Sequence, residues 1–533
     1  MALGASWVLA MSLVVMGVVS PLVWMIVQSF SVLFSQSSDP NMTYLLEMIK
    51  FTFLQSLVSG AFSIVLGGGL ALMAAGKEFP FRRFLKGLSL VPYSFPAVVV
   101  AVAFILSFGQ SGFLGTWFGE NFSFIYSAKG VVAAHVFMNA PFVFSTLLVS
   151  LESLPQSYEK QARMLSLSIW QRLRFWIWPE VSKDVWGLFL SVVLTCVSSF
   201  SIVLILGGSP QLATLEVGIY SSIKSDGNFQ NAAFIGLIQL LLVAPLIYFL
   251  RRLTSRHKSD HFSSVALLPR EIFSSYTRSE KLFFLAFILA YLAVLSPPLA
   301  SILMDGLKGL PQLVESRNSK IFGEALWGTA KLSLVSSSAS VLVAWAYGRF
   351  LIDMRGRLPA PARFLSEVPW LMMAFSPALL GAFWLFLAIE ASLVIGDMHF
   401  YFLVLAHFMM VFPLAFRVIF PALDRLMTGY SKPLLLLDLS DWQRLRHVEW
   451  PEIKVPLLAA FGLGIALSLS EVSTVLLLSG GSYRTLSTLV FELMGSYRFS
   501  FAATVALCIG AFSVFLAFLL NSGDAKHDGG KIG

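Results

Sequence analysis

Apolar and polar positions alternate along the chain in long blocks. Twelve apolar runs begin near Ser6, Phe51, Gly87, Gly130, Val185, Gln230, Leu282, Leu326, Phe364, Phe400, Val455 and Ser500. Each is long enough for the helix of about 17 to 25 residues that crosses a bilayer. A backbone surrounded by hydrocarbon has to satisfy its own polar groups, and a helix does so within one segment. The pattern therefore predicts an all-α integral membrane protein of about twelve transmembrane helices. The first run has no Lys or Arg ahead of it and continues to about Phe34, longer than a signal-peptide core, so it is read as a true span.

Composition agrees: of 533 residues 57% are hydrophobic and 12% charged, and the mean hydropathy is +0.79. That charge content is about half of what a soluble domain carries. The net charge of +8 comes from Lys and Arg scattered in short blocks, without the long basic tract or arm of a nucleic-acid binder. The segments 76–86, 152–184, 251–281, 349–364 and 424–454, with the C-terminal tail, hold 27 of the 37 Lys and Arg. By the positive-inside rule these segments and both termini are expected in the cytoplasm. Cys196 and Cys508 fall inside apolar runs in opposite halves, which is not the pattern of a disulfide framework.

The chain repeats itself. "LSIWQRLRFWIWPE" at 167–180 returns as "LSDWQRLRHVEWPE" at 439–452, and residues 151–180 match 423–452 at 15 of 30 positions without a gap. At the same offset "AHVFMNAPFVF" (134–144) faces "AHFMMVFPLAF" (406–416), which pairs His135 with His407, and "SSFSIVLIL" (198–206) faces "SEVSTVLLL" (470–478). This is a tandem duplication of a six-span unit. The expected division is a first repeat at 1–250, a basic cytoplasmic linker at 251–281, a second repeat at 282–523 and a cytoplasmic tail at 524–533. An even number of spans inserts both copies the same way up, so a pseudo-two-fold axis along the membrane normal is expected, with the transport path between the halves.

Each copy of the motif lies in a cytoplasmic segment patterned as a short amphipathic helix. Ala162, Leu165, Ile169 and Leu173 recur at spacings of three and four, with Lys160, Arg163 and Arg174 on the other side. Pro179 and Pro451 are expected to end these helices just before the next span. An interfacial lipid anchor would constrain residue type but not order. The shared order W-Q-R-L-R, then W-P-E, points instead to two equal docking surfaces.

On these residues the chain resembles the membrane subunits of binding-protein-dependent ABC importers. Their cytoplasmic loop carries E-A-A, three residues, Gly, nine residues, then I-x-L-P. Here Lys160 and Lys432 stand where the family has Glu, Ser166 and Asp438 where it has Gly, and Trp178 and Trp450 where it has the Leu before Pro179 and Pro451. The resemblance implies a coupling helix in each loop, contacting two copies of an ATPase subunit through Trp170, Arg172, Arg174, Trp442, Arg444 and Arg446. It also implies a solute-binding protein outside and a place in the bacterial inner membrane. ATP would be held by the partner and no cofactor by this chain. Neither Gly-Lys pair has the earlier Gly or the following Ser/Thr of a phosphate-cradling loop. The fused twelve-span form resembles thiamine and iron(III) permeases, and "LILGGSPQLATLEVGIYSSI" with "YRTLSTLVFELMGSYR" looks more like the former.

Other classes fit less well. A self-powered transporter would show charged or Pro-broken helices at matching depth, which Pro96 and Pro377 approach, but it would leave the paired motifs unexplained. The enzyme motifs H-E-x-x-H and G-x-S-x-G are absent from the sequence. His257 and His261, beside Arg256 and Lys258, read as a solvated linker pair rather than metal ligands, and His135 and His407 as polar packing residues. Glu471 is the carboxylate expected deepest in a span, and its repeat counterpart is Ser199. Two roles stand open for it: lining a path for a cationic solute together with Phe200, or a hydrogen-bonded structural group.

Overall fold

The computed structural model describes residues 8, 11–13, 15–34, 42–79, 81–110, 112–115, 124–154, 164–165, 169–208, 212–255, 271–272, 278–392, 398–429, 440–481 and 483–528. Lys160, Ser166, Lys432, Asp438, His257 and His261 lie outside the described residues. In chain order the main helices are α1 (Ser20–Phe34), α2 (Met42–Ser63), α3 (Arg82–Ser94), α4 (Ala97–Phe108), α5 (Ala128–Glu152), α6 (Trp178–Val197), α7 (Ser201–Leu206), α8 (Leu215–Lys224) and α9 (Phe229–Ser255). They continue as α10 (Arg278–Lys308), α11 (Ser316–Arg355), α12 (Pro359–Met372), α13 (Pro377–Glu390), α14 (Met398–Gly429), α15 (Trp450–Ser470), α16 (Ser473–Leu478), α17 (Leu486–Gly495) and α18 (Phe499–Asp528). Among the described residues the sole strand pairing is a two-residue parallel contact of Lys77–Glu78 with Glu271–Ile272.

Among the described residues nine helices are long and apolar enough to cross a membrane, and two more spans arise if each bent helix pair counts as one. Those pairs correct the expectation of continuous helices beginning near Gly87 and Phe364. α3 and α4 meet at 108°, and α12 and α13 at 97°. The cause is local: Pro96 and Pro377 disfavour the α conformation in the residue before them. Phe95 and Ser376 are accordingly extended, with ψ of 133° and 155°. The run expected near Val185 is helical as α6, but Glu180, Lys183 and Asp184 occupy its first two turns.

Two compact units emerge. One comprises Met1–Leu45, Leu215–Leu241 and Gly309–Gly533, the other Leu46–Thr214 and Leu242–Lys308. The first helix of each repeat thus belongs to the unit built mainly from the other repeat. In the first unit Trp24 of α1 packs on Phe383 and Phe386 of α13, ring centroids 5.8 Å apart in both pairs. α11 presents a buried row of small residues, Ser333, Ser336, Ser337 and Ser340, to its neighbours α14 and α15. Small side chains let helix backbones approach closely where no hydrophobic drive holds them together. Ser336 and Ser340 return their hydroxyl protons to the carbonyls of Leu332 and Ser336, each at 2.7 Å, whereas Ser337 Oγ has no hydrogen-bond partner among the described residues. In the second unit α10 is tied to α3 by Ser89–Tyr291 at 2.7 Å and to α4 by the hydroxyl contact of Ser107 with Ser301.

Candidate functional site

The duplicated segments do not form separate helices closed by proline. Helix runs without a break from Ile169 through α6 and from Asp441 through α15, passing a π turn at Leu173–Ile177 and at Leu445–Glu449. A proline inside a helix lacks the N–H for the carbonyl four residues earlier, and its ring crowds that carbonyl. For Pro179 and Pro451 those carbonyls belong to Phe175 and His447, both inside the π turns. The wider turn takes up the conflict and lets the helix continue. The W-Q-R-L-R residues are therefore the opening turns of the span helices, and of the earlier part of the expected helix, 158–168, all but residues 164–165 lie outside the described residues.

Part of the motif is structural. Ser440 Oγ accepts from the Gln443 backbone N–H at 3.4 Å, while Gln443 Oε1 accepts from the Ser440 N–H at 3.1 Å. This is the reciprocal S-x-x-Q cap of a helix start, and the same spacing stands at Ser168 and Gln171. Trp442 in the first turn is 66% exposed and Trp450, just past the π turn, 54%, with Arg446 and His447 also on the surface. In the other copy Arg174 is exposed and lies 5.6 Å from the Phe175 ring, Arg172 is half-buried, and Pro179 is exposed. Trp170 lies on the opening turn, and Pro451 follows Trp450 on the surface.

Arg444 differs from its neighbours. Its guanidinium lies 3.3 Å from Glu449, which is fully buried and also 3.4 Å from Arg349 of α11. Arg444 Nη2 also donates to the Met427 thioether of α14 at 2.8 Å. The second copy is thus braced against α11 through the Glu449 carboxylate and against α14 through Arg444. Its repeat counterpart is Ile177, so the first copy has no equivalent charge. The sequence reading missed Glu449 and Arg349, and the departure of Glu449 from Ile177 inside an otherwise repeated motif was the available signal.

A second polar cluster lies within the first unit. Glu216 on α8 is wholly buried. Its Oε1 accepts the Ala378 backbone N–H at 2.8 Å, in the first turn of α13, and its Oε2 accepts the Gln239 amide at 3.0 Å. The N-terminal N–H groups of a helix have no partner within that helix and carry partial positive charge, so a carboxyl group is well matched to them. Glu471 is half-buried, less deep than Glu216. It stands in the break between α15 and α16, accepting from Ser473 Oγ at 2.5 Å and from the Thr474 N–H at 3.0 Å. Glu216, which the sequence reading passed over because it lies between two expected spans, is the more enclosed of the two carboxylates, and its place in the apolar stretch "TLEVGI" was the signal. His407 is buried, with Nδ1 2.9 Å from the Leu403 carbonyl. In the second unit His135, Ser199 and Phe200 are all buried, the latter two in the break between α6 and α7. Among the described residues no cluster of His, Cys, Asp and Glu could hold a metal ion.

Comparison with known proteins follows this duplicated geometry. The thiamine transport system permease protein of Brucella suis is 29% identical over 499 residues, covering 91% of this chain and 89% of that protein. That of Escherichia coli is 26% identical over 488 residues, covering 90% and 88%. A sulfate transport system permease protein of Synechocystis is 28% identical over 221 residues, 40% of this chain and 78% of its own length. The family described as binding-protein-dependent transport system inner membrane component matches twice, at residues 63–259 and 354–526. Matched once in each repeat and over more than half its length, the chain belongs to the binding-protein-dependent transport system inner membrane components, the membrane subunits of ABC importers.

Proposed function

We propose that this chain is the twelve-span permease of a thiamine importer in the bacterial inner membrane, with both termini in the cytoplasm. The observation that carries the reading is similarity to thiamine permeases along about nine-tenths of both chains, which spans both repeats and the linker. Two copies of an ATPase subunit, holding the ATP, dock on the segments 160–179 and 432–451. A solute-binding protein outside delivers the substrate. The division into repeats at 1–250 and 282–523, a linker and a tail follows from the duplication. Exposed Trp442 and Arg446, with Trp170, Arg172 and Arg174 in the other copy, supply aromatic and forked cationic contacts of the kind that dominate interfaces. Lys160, Ser166, Lys432 and Asp438 belong to the same surfaces, Pro179 and Pro451 set the turn behind them, and Arg444 braces the second copy from within. Because the residues from Ile169 and from Asp441 onward are continuous with the span helices, a push at the docking surface is delivered along a helix. Glu471, at a helix break, is a counter-charge for the cationic ring of thiamine.

The test is uptake of labelled thiamine by a thiamine-requiring host that lacks its own importer and expresses this chain with its ATPase and binding protein. Uptake should appear with the wild-type chain and vanish in the Trp442→Ala, Arg446→Ala double variant at equal membrane abundance. Uptake of iron(III) but not thiamine would overturn the substrate assignment, and normal thiamine uptake by the double variant would overturn the docking assignment.

A further inference from the structure

The second unit carries a groove of about 770 Å³ that the transport reading does not use. Its walls are α2, α5 and α10, each a helix long and apolar enough to cross a membrane. Phe51, Leu54 and Phe62 of α2, Val132 and Val136 of α5 and Val294 of α10 line it. Leu54 and Phe62 are each more than half exposed. Two polar side chains reach the lining, Gln55 and Lys129. The Gln55 amide nitrogen is already engaged, donating to the Cys196 carbonyl at 3.0 Å and to Ser56 Oγ at 2.8 Å.

The groove has a sequence cause. A Cβ added at Gly67 would collide with the Ala140 carbonyl of α5, and one added at Gly69 with the Phe287 ring of α10. These two glycines draw the chain just after α2 onto both neighbours at one end. Away from that clamp, toward Phe51 and the start of α5 at Ala128, Val65, Phe62 and Leu54 line the groove while each stays more than half exposed. The result is an apolar wedge with Lys129 in its lining.

We propose that this wedge seats an acyl chain of an anionic glycerophospholipid whose headgroup phosphate pairs with Lys129. Hydrocarbon is the medium around these helices, and an apolar crevice at that depth is filled by a lipid tail. The bilayer solvates a tail equally well elsewhere, so burial alone selects no lipid. Selection comes from shape and from charge. Lys129 is exposed and, among the described residues, is the one charged residue lining the wedge. It also sits in the first turn of α5, where a cation is disfavoured by the positive end of the helix dipole. A phosphate at that position relieves the conflict.

The experiment is native mass spectrometry of the full chain in mild detergent, titrated with dioleoyl phosphatidylglycerol or dioleoyl phosphatidylcholine. One lysine at a membrane surface favours an anionic lipid by about fivefold. Wild type should retain the glycerol lipid over the choline lipid by about that factor. Lys129→Gln should bring the two to equal retention, and Ala133→Trp, which fills the wedge, should lower retention of both. No preference in the wild type, a preference surviving Lys129→Gln, or unchanged retention of both lipids by Ala133→Trp would overturn the proposal. Lys129→Gln alters an exposed side chain, so its result does not depend on how well the core tolerates the larger replacement.

Discussion

Glu216→Ala is the most informative single perturbation of the interior. The carboxyl group accepts two hydrogen bonds, from the Ala378 N–H at 2.8 Å and from Gln239 at 3.0 Å. Gln239 is 2% exposed and Ala378 is fully buried, so neither donor can turn to water. Stranding a buried donor costs about 1–3 kcal/mol, so the two together put the loss at about 2–6 kcal/mol, much of it at the start of α13. Glu216→Gln behaves differently. Its amide oxygen still accepts from Ala378, and its new N–H₂ faces Gln239, whose Oε1 has no hydrogen-bond partner among the described residues. A flip of the Gln239 amide then restores the second bond, and the cost stays below about 1.5 kcal/mol. Hydrogen–deuterium exchange of a peptide covering residues 376–382 reads this directly, because protection of the Ala378 amide reports local opening. In the alanine variant that peptide should exchange at least about 30-fold faster than wild type, and in the glutamine variant by no more than about tenfold. Equal protection in the alanine variant and wild type would refute the view that Glu216 pins the broken span.

Two further outcomes follow from the packing. Glu449→Gln removes the charge shared by Arg349 and Arg444 while keeping the side chain's shape; the chain should still insert and bind its ATPase, but ATP hydrolysis should no longer track substrate supply. Hydrolysis that remains substrate-dependent in proteoliposomes would count against the brace. Gly67→Val forces a branched side chain onto the Ala140 carbonyl and should destabilise the second unit by about 1–3 kcal/mol or more. It should lower the thermal midpoint in detergent, whereas Gly87→Ala, with no neighbouring atom within 4 Å of the added Cβ, should leave it unchanged.

Helix positions, the duplication and the family were legible in the sequence, because each rests on a local or periodic signal. Hydrocarbon demands runs of apolar residues of a set length, so the spans announce themselves. The paired motif at 167–180 and 439–452 shows in one dimension because its two copies are compared with each other. Even the broken spans had a local signal, since Pro96 and Pro377 act on the residue just before them. What the sequence misread was continuity across Pro179 and Pro451: proline was taken as a stop, but a π turn absorbs the ring where the helix is held on both sides. Partners far apart in the chain were out of reach. Nothing near Glu216 indicates Ala378, and nothing near Glu449 indicates Arg349. The same holds for Gly69 and Phe287, and for the first helix of each repeat, which packs in the unit built mainly from the other repeat. Apolar periodicity says which side of a helix faces protein but carries no address for the neighbour. That choice depends on shape, on small residues that permit close approach and on buried polar groups that need a partner, and these are satisfied only when the helices are assembled.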